Sequence, residues 1–172
     1  LRHNQAQAGS IAEFICKYQR NYPGQPVHLI GHSAGAGIAL FVLEKLPATH
    51  RVNSVVLLAA AVSRQFDIRP LVERTGRGIW NFYSPLDLPT VGLGTIVFGT
   101  MDRRHAISAG AMGFRTEHES TSDAHVPEST EPQLHQIRFR TAMIRSWNFG
   151  GHFGSTNAVF VQRHVAPICI KR

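Results

Sequence analysis

The sequence has little cysteine and no long apolar run, and each shortage argues against a class of protein. Its 172 residues include only two cysteines, Cys16 and Cys169, whose wide separation lacks the short spacing of a zinc site or a redox pair, so we expect ordinary buried thiols. No apolar run approaches the roughly 20 residues of a membrane span, which argues against a transmembrane segment. With 43% hydrophobic and 17% charged residues, the composition is that of a globular chain, and we predict one domain over residues 1–172.

The chain also lacks a basic cluster, although basic residues outnumber acidic ones. Eighteen Lys and Arg against eleven Asp and Glu give a net charge of +7. The basic residues stand singly, as Arg2, Lys17 and Arg20 do, whereas binding to a phosphate backbone selects for a clustered stripe. We therefore expect no nucleic-acid partner.

Predicted strands alternate with predicted helices along the chain. Apolar and β-branched runs predict four strands, within residues 27–30, 52–62, 79–83 and 134–139. Helical spacing of apolar residues predicts three helices, over residues 11–20, 38–46 and 157–166. The first helix follows a capping box at Ser10 and Glu13, and the polar segment 115–132 is predicted to be a surface loop. This alternation predicts an α/β protein with a parallel sheet covered by helices on both faces, in which the strand at 27–30 is itself buried on both faces.

A glycine-rich segment, GHSAGAG over residues 31–37, separates the first predicted strand from the second predicted helix. Gly31, Ser33 and Gly35 fit the G-x-S-x-G pattern of a nucleophile elbow. A serine hydroxyl is a weak nucleophile, so it must project from a sharp turn toward a base, and the strained turn tolerates only small neighbours. A phosphate-binding loop is the other interpretation, but the segment lacks the lysine of a Walker loop. We predict Ser33 as a nucleophile and the backbone N–H of Ala34 as an oxyanion donor.

The form Gly-His-Ser-x-Gly at this position resembles the elbow of the α/β-hydrolase superfamily, particularly its esterases and lipases. The resemblance covers the chain from about residue 10 onward, and the elbow is its specific part. It implies an α/β-hydrolase fold in which an acid and then a histidine follow the serine along the chain. Such a hydrolase requires no metal ion and no cofactor, and no spacing of His, Cys and Glu in this chain suggests one.

The acid is expected at the carboxyl end of a central strand. Asp87 comes just after the predicted strand at 79–83, where the chain turns at the edge of the sheet, and it is our first choice. Asp67 follows the preceding strand and is the alternative, because some members of the superfamily carry the acid one strand earlier. Asp102 is expected to pair with its neighbours Arg103 and Arg104.

The base is selected by position, because ten histidines make any single one a weak signal. His152 lies in a glycine-rich loop after the last predicted strand, from which an imidazole can reach Ser33, and it is the predicted base. His32 adjoins the nucleophile but is expected to point away from it, and His164 is expected to pack inside the terminal helix. Four further histidines are expected to be solvated: His105, His118, His125 and His135.

These residues predict a serine hydrolase of carboxylic esters, lipids included, in which His152 takes the proton of Ser33, Asp87 orients the imidazole, and an acyl-enzyme is hydrolysed by water. Esterase, lipase, peptidase and acyltransferase activities stay open, since the acyl acceptor depends on pocket shape. The alternative is a non-catalytic or truncated relative that keeps the fold for binding. A missing contact between Asp87 and His152 would support that alternative.

The chain departs from the superfamily ahead of the elbow. The superfamily places several strands and a second oxyanion donor there, whereas only about thirty residues precede Ser33. We therefore expect those strands to be absent and the chain to be the C-terminal portion of a longer protein. The strand at 27–30 would keep an unpaired edge, so residues 1–172 alone are expected to aggregate or to show little activity.

Overall fold

Four parallel strands form the central sheet of the computed structural model, which describes residues 2–88, 100–102, 106–115 and 133–170. The strands are β1 (His28–His32), β2 (Val52–Leu58), β3 (Thr75–Tyr83) and β4 (Gln133–Arg138). They lie side by side in the order β1-β2-β3-β4, and each neighbouring pair is parallel. The predicted parallel α/β architecture is confirmed, and it brings the carboxyl ends of all four strands to one edge of the sheet.

Helices cover the two faces of the sheet. The helical elements are α1 (Arg2–Asn21), α2 (Ala34–Lys45), α3 (Arg69–Val72), α4 (Ala109–Met112), α5 (Ala158–Phe160) and α6 (Ala166–Ile170), with a π-helical turn Val161–Val165 joining the last two. We call residues 158–170 the terminal helix. One core cluster joins α1 and α2 to the sheet through side chains such as Ile15, Leu40 and Leu57. A second cluster packs Phe160 of the terminal helix against the opposite face, where burial of such an aromatic is worth about 3 kcal/mol or more.

Helix α1 begins earlier than predicted. It runs over Arg2–Asn21, so Ser10 lies inside the helix and is not a capping residue at its start. The Ser10 hydroxyl donates to the backbone oxygen of Ala6 at 3.3 Å, the usual bond of a serine in mid-helix. A sequence that fits a capping box therefore occurs here within a longer helix, and the predicted start at residue 11 is wrong.

Strand β3 also begins earlier than predicted, because glycines disguise its first half. Gly76 and Gly78 precede the apolar run from residue 79. At Gly78 a Cβ atom would lie 2.2 Å from the backbone oxygen of Gln133 in β4, and the φ angle is +129°. Close approach of the neighbouring strand therefore requires glycine there, and the position belongs to the strand although its residue type disfavours one.

Strand β1 lies at an edge of the described sheet, and its apolar run is not buried on both faces as predicted. Leu29 packs into the cluster beneath α1 and α2, but Ile30 on the opposite face is 54% exposed. The terminal helix packs over Val56 and Phe82 of β2 and β3. The terminal helix does not bury Ile30.

The remaining expectations concern a loop, the thiols and the membrane. Apart from residue 115, the predicted surface loop 115–132 falls outside the described residues. Both thiols are free, with Cys16 buried as predicted and Cys169 only half-buried. Among the helices of the described ranges, none has the length and apolarity needed to cross a bilayer.

Candidate active site

Ser33 occupies a strained turn between β1 and α2. Its φ and ψ angles are 55° and −118°, a region that side-chain-bearing residues rarely adopt. Three backbone hydrogen bonds hold the turn: the Ser33 N–H donates to the oxygen of Leu58 at 2.9 Å, and the Ser33 oxygen accepts from Ala36 and Ala61, each at 3.1 Å. Neighbouring structure thus stabilises a conformation that would be costly in isolation, as the prediction of an elbow requires.

The glycines of the elbow differ in what they are needed for. A Cβ atom on Gly31 would lie 2.5 Å from the oxygen of Gly35 and 2.6 Å from the Cα of Ala36. A Cβ on Gly37 would lie 2.9 Å from the Cβ of Met101, whereas a Cβ on Gly35 would meet nothing within 4 Å. Close packing therefore explains Gly31 and Gly37, and the expectation that Gly35 also makes room within the turn is not supported by its surroundings.

Ala34 is the first residue of α2 and is exposed. The first N–H groups of a helix have no acceptor within it, and the positive end of the helix dipole lies beside them. The predicted oxyanion donor therefore stands directly after Ser33, at a helix start suited to a developing negative charge. Its role stays a prediction.

Asp87 ends a short 3-10 turn, Pro85–Asp87, that follows β3. The Ser84 hydroxyl accepts from the Leu86 N–H and the Ser84 oxygen accepts from the Asp87 N–H at 3.0 Å, so the carboxylate is held on a tightly bonded turn. Its side chain is 1% exposed. An aspartate buried so fully needs polar partners, since an isolated buried carboxylate is costly.

His152 supplies such a partner. It lies in residues 147–157, which we call the His152 loop, between the 3-10 helix Thr141–Ser146 and the terminal helix. Its Nδ1 atom is 3.0 Å from Oδ2 of Asp87, and its side chain is 14% exposed. The contact predicted between these residues is therefore present, although they stand 65 positions apart in the sequence.

Ser33 and His152 share no hydrogen bond: among the hydrogen bonds of the described residues, none joins the two side chains. Instead the Nε2 atom of His32, the residue before Ser33, lies 2.9 Å from the backbone oxygen of His152, and the two imidazole rings are 4.7 Å apart between centroids. His32 thus brings the His152 loop against the end of β1.

His32 was expected only to point away from Ser33, and its contacts with the His152 loop were not foreseen. Strand β1 extends through His32, so side-chain alternation places it on the same face as Ile30, where the His152 loop meets it. Because the predicted strand ends at residue 30, it does not say which face of the sheet His32 occupies. Extending the side-chain alternation by two residues would place His32 on the face of Ile30.

The alternative acids lie elsewhere. Asp67 is exposed and pairs with Arg69 at 3.0 Å, and the side-chain hydrogen bond from Arg69 lowers its pKa. Asp102 accepts a hydrogen bond from the Ser63 N–H at 2.9 Å and another from the hydroxyl of Thr100. The arginines predicted to pair with Asp102 fall outside the described residues.

Two of the other histidines pack against aromatic rings. His164 packs on Phe160 with ring centroids 4.7 Å apart and lies 3.1 Å from the Ser146 hydroxyl, in the packing position expected for it. His135 was expected to be solvated, but it stacks on Trp80 at 4.6 Å, and burial lowers its pKa. His105, His118 and His125 lie outside the described ranges.

Apolar side chains stand exposed around Asp87 and His152. Leu86 is 60% exposed and Phe153 is 72% exposed, and each adjoins one of the two residues in the chain. Trp147 and Phe149 of the His152 loop are 65% and 59% exposed. We call these four side chains the apolar rim. Within the described part of the chain, no group of three or more His, Cys, Asp or Glu side chains is placed to hold a metal ion.

Comparison with known proteins agrees with this architecture. Residues 3–79 match a family model described as alpha/beta hydrolase fold, a stretch that contains β1, the elbow, β2 and the first part of β3. Searches of curated proteins and of solved structures returned no match. The matched segment and the parallel sheet with flanking helices are those of an α/β-hydrolase fold.

Proposed function

We propose that this protein is a serine hydrolase of carboxylic esters, with Ser33 as nucleophile, His152 as base and Asp87 as the acid that orients the base. The observation that carries the proposal is the 3.0 Å contact between Asp87 Oδ2 and His152 Nδ1, formed beside the strained Ser33 turn. Proteins of the matched α/β-hydrolase fold are mostly hydrolytic enzymes, which supports the same reaction class.

The contact assigns the two imidazole nitrogens. A carboxylate can only accept, so Nδ1 of His152 carries the proton donated to Asp87 and Nε2 is left with a lone pair. Nε2 takes the proton of the Ser33 hydroxyl while Oγ attacks the ester carbonyl carbon. The resulting oxyanion lies by the Ala34 N–H, and its collapse expels the alcohol, which receives the proton from Nε2. A water molecule, deprotonated by the same nitrogen, then attacks the acyl carbon. The bond to Oγ of Ser33 breaks, Oγ receives the proton from Nε2, and the carboxylic acid is released.

A movement that brings the Ser33 hydroxyl to Nε2 of His152 has to precede this chemistry, because the two side chains share no hydrogen bond in the described structure. Catalytic hydrogen bonds are often long or poorly aligned without substrate and tighten in the complex. Rotation about the Cα–Cβ bond of Ser33, whose side chain is half-buried, would redirect its hydroxyl.

The apolar rim supports esters with apolar groups, lipids among them. Exposed Leu86 and Phe153 would be costly to solvate and are positioned beside the acid and the base. An acyl chain laid across them would remove apolar surface from water at about 25 cal/mol per Å². We therefore expect longer acyl chains to react faster than acetate.

Binding without catalysis is the second candidate, and the missing hydrogen bond between Ser33 and His152 favours it. The contact between Asp87 and His152 counts against it, since a binding protein has no need of a carboxylate that orients an imidazole.

A fluorophosphonate reagent separates the two candidates. An activated serine displaces fluoride from phosphorus and becomes covalently labelled, so the folded protein should gain one adduct, located on Ser33 by mass spectrometry. Ser33→Ala should remove the adduct, and Ser10→Ala, which changes a hydroxyl inside α1, should retain it. Hydrolysis of p-nitrophenyl acetate and octanoate then measures chain-length preference. A folded wild-type protein that is neither labelled nor hydrolytic would favour the binding protein.

A further inference from the structure

His32 makes three contacts with the His152 loop, two with His152 itself and one with Phe153. Its Nε2 atom lies 2.9 Å from the backbone oxygen of His152. Its ring lies 4.7 Å from the His152 ring and 5.5 Å from the ring of Phe153, at interplanar angles of 47° and 37°. A carbonyl oxygen only accepts, so Nε2 of His32 carries the hydrogen and donates it.

We propose that His32 is a positioning residue that keeps His152 at a fixed position relative to Ser33. The proposal rests on the proposed function, because it concerns the base of the same site. Asp87 binds the imidazole through Nδ1 and His32 binds the backbone oxygen of the same residue, so the side chain and the main chain of His152 are each fixed by one hydrogen bond.

The position of His32 in the chain explains why this arrangement is effective. It immediately precedes Ser33 at the end of β1, so the group that anchors the base shares a rigid strand with the nucleophile. Asp87 lies in the turn after β3, so its bond to His152 ties the loop to that turn and does not fix the distance between the loop and β1. The loop itself is rich in glycine, with Gly150 at a φ angle of +80°. The backbone bond around His152, from the Gly154 N–H to the Gly151 oxygen at 2.9 Å, joins two residues of the loop and does not tie the loop to β1.

Donation from Nε2 distinguishes this role from packing alone. A Gln side chain places an N–H donor near the position of the histidine Nε2 atom but has no ring, whereas Phe keeps a ring and has no donor. If the hydrogen bond positions the base, Gln rescues function and Phe does not. If the ring contact alone matters, the order is reversed.

The experiment compares wild type, His32→Gln and His32→Phe by the rate of fluorophosphonate labelling and by NMR of the Nδ1 proton shared between His152 and Asp87. Displacing a catalytic group by about 1 Å can cost roughly 100-fold in rate. We expect labelling of His32→Phe to slow by about 10- to 100-fold with loss of the proton signal, and His32→Gln to stay within about threefold with the signal retained. His50→Phe, on the loop before β2, serves as the control for adding an aromatic ring.

Each outcome has one interpretation. Equal losses in His32→Gln and His32→Phe, or no loss in either, would overturn the positioning role. Should His32→Phe fail to fold, His32→Ala replaces it, with the fold checked by circular dichroism. If the wild type is never labelled but the proton signal is lost in His32→Phe and kept in His32→Gln, the positioning role stands and the hydrolase proposal fails. If the wild type is labelled and all variants react equally, the hydrolase proposal stands alone.

Discussion

The elbow and the His152 loop provide the two halves of the candidate site, and they are held in place by different kinds of contact. Backbone hydrogen bonds fix the elbow, through Ser33, Leu58 and Ala61. In the loop, backbone bonds such as that from the Gly154 N–H to the Gly151 oxygen are joined by side-chain amides: Oδ1 of Asn148 accepts from Gly150, and Nδ2 of Asn157 donates to the oxygens of Trp147 and Gly154. The conformation of the loop therefore depends on a few polar side chains, whereas the hydrogen bonds of the elbow do not.

Glycines in the two regions show the same difference. A Cβ on Gly31 in the elbow would meet backbone atoms, at 2.5 Å from the oxygen of Gly35. A Cβ on Gly150 in the loop would meet the tips of side chains, at 2.8 Å from Cδ1 of Leu86 and 3.0 Å from the ring of Phe139. Side-chain tips can rotate away and backbone atoms cannot, so the elbow is the more rigid partner.

The largest expected effect comes from the contact that the loop makes with the turn after β3. Asp87→Asn should lower ester hydrolysis by roughly 10⁴-fold, because an amide in place of the carboxylate no longer selects the tautomer in which Nε2 is free. Asp67→Asn is the matched control, since Asp67 is exposed and pairs only locally with Arg69 among the contacts described. Steady-state hydrolysis measures both. A larger loss in Asp67→Asn would assign the acid to the earlier strand.

The next largest effect tests the rigidity of the elbow. Gly31→Ala should lower the free energy of unfolding by about 1–3 kcal/mol, because the new methyl group collides with backbone that cannot move aside. Gly35→Ala should be neutral or should stabilise by about 0.5–1 kcal/mol, since it lies in α2 with open space around it and alanine favours helix. Urea denaturation compares the two variants. Equal values would show that the elbow relaxes as readily as a loop.

A smaller effect on labelling is expected from Asn157, one of the two asparagines whose side-chain amides hold the loop. Oδ1 of Asn157 caps the terminal helix by accepting from Phe160 at 3.0 Å, and its Nδ2 holds the loop. Asn157→Asp keeps the cap and removes the donor, so labelling of Ser33 should slow by about tenfold with less than about 1 kcal/mol of lost stability. Asn157→Ala removes both and should cost about 1–2 kcal/mol in addition. Unchanged labelling in Asn157→Asp would show that the loop does not depend on this side chain.

The smallest effect concerns pH and lies outside both regions. Burial lowers the pKa of His28, His135 and His164 below 6.5 in the folded protein. Between those lowered values and 6.5 the unfolded chain binds more protons than the folded one, so the free energy of unfolding should fall as the pH drops through 6.5 and should be fully retained above it. Urea denaturation at pH 7.5 and pH 5.5 measures the change. His135→Gln should reduce the difference, and a difference as large as in wild type would remove His135 from this explanation.

The elbow could be predicted because the residues that mark it are local: a glycine that must stay small, a serine and a helix start all fall within residues 31–37. The bonds with Leu58 and Ala61 that hold the turn could not be predicted from that segment. The base and the acid were predicted from the order of strands, which a parallel sheet translates into a shared edge. The predictions that failed depended on long-range register: His135 stacks on Trp80 because β3 and β4 pair those two residues, and nothing near His135 in the chain indicates an aromatic neighbour. The prediction of the start of α1 failed for the opposite reason, because the local motif at Ser10 lies inside a longer helix.

The strands lie across the sheet in the same order as they occur in the chain. A chain that leaves the ribosome from its N-terminus can therefore add each strand to the edge left by the one before, without separating strands that have already paired. The bonds that hold Ser33 come from residues up to Ala61, so the elbow is complete about ninety residues before His152 has been made. At roughly 5–20 residues per second that interval lasts several seconds. During synthesis the Ser33 turn can thus form well before His152 has been made, so for that interval the proposed nucleophile would lack its proposed base.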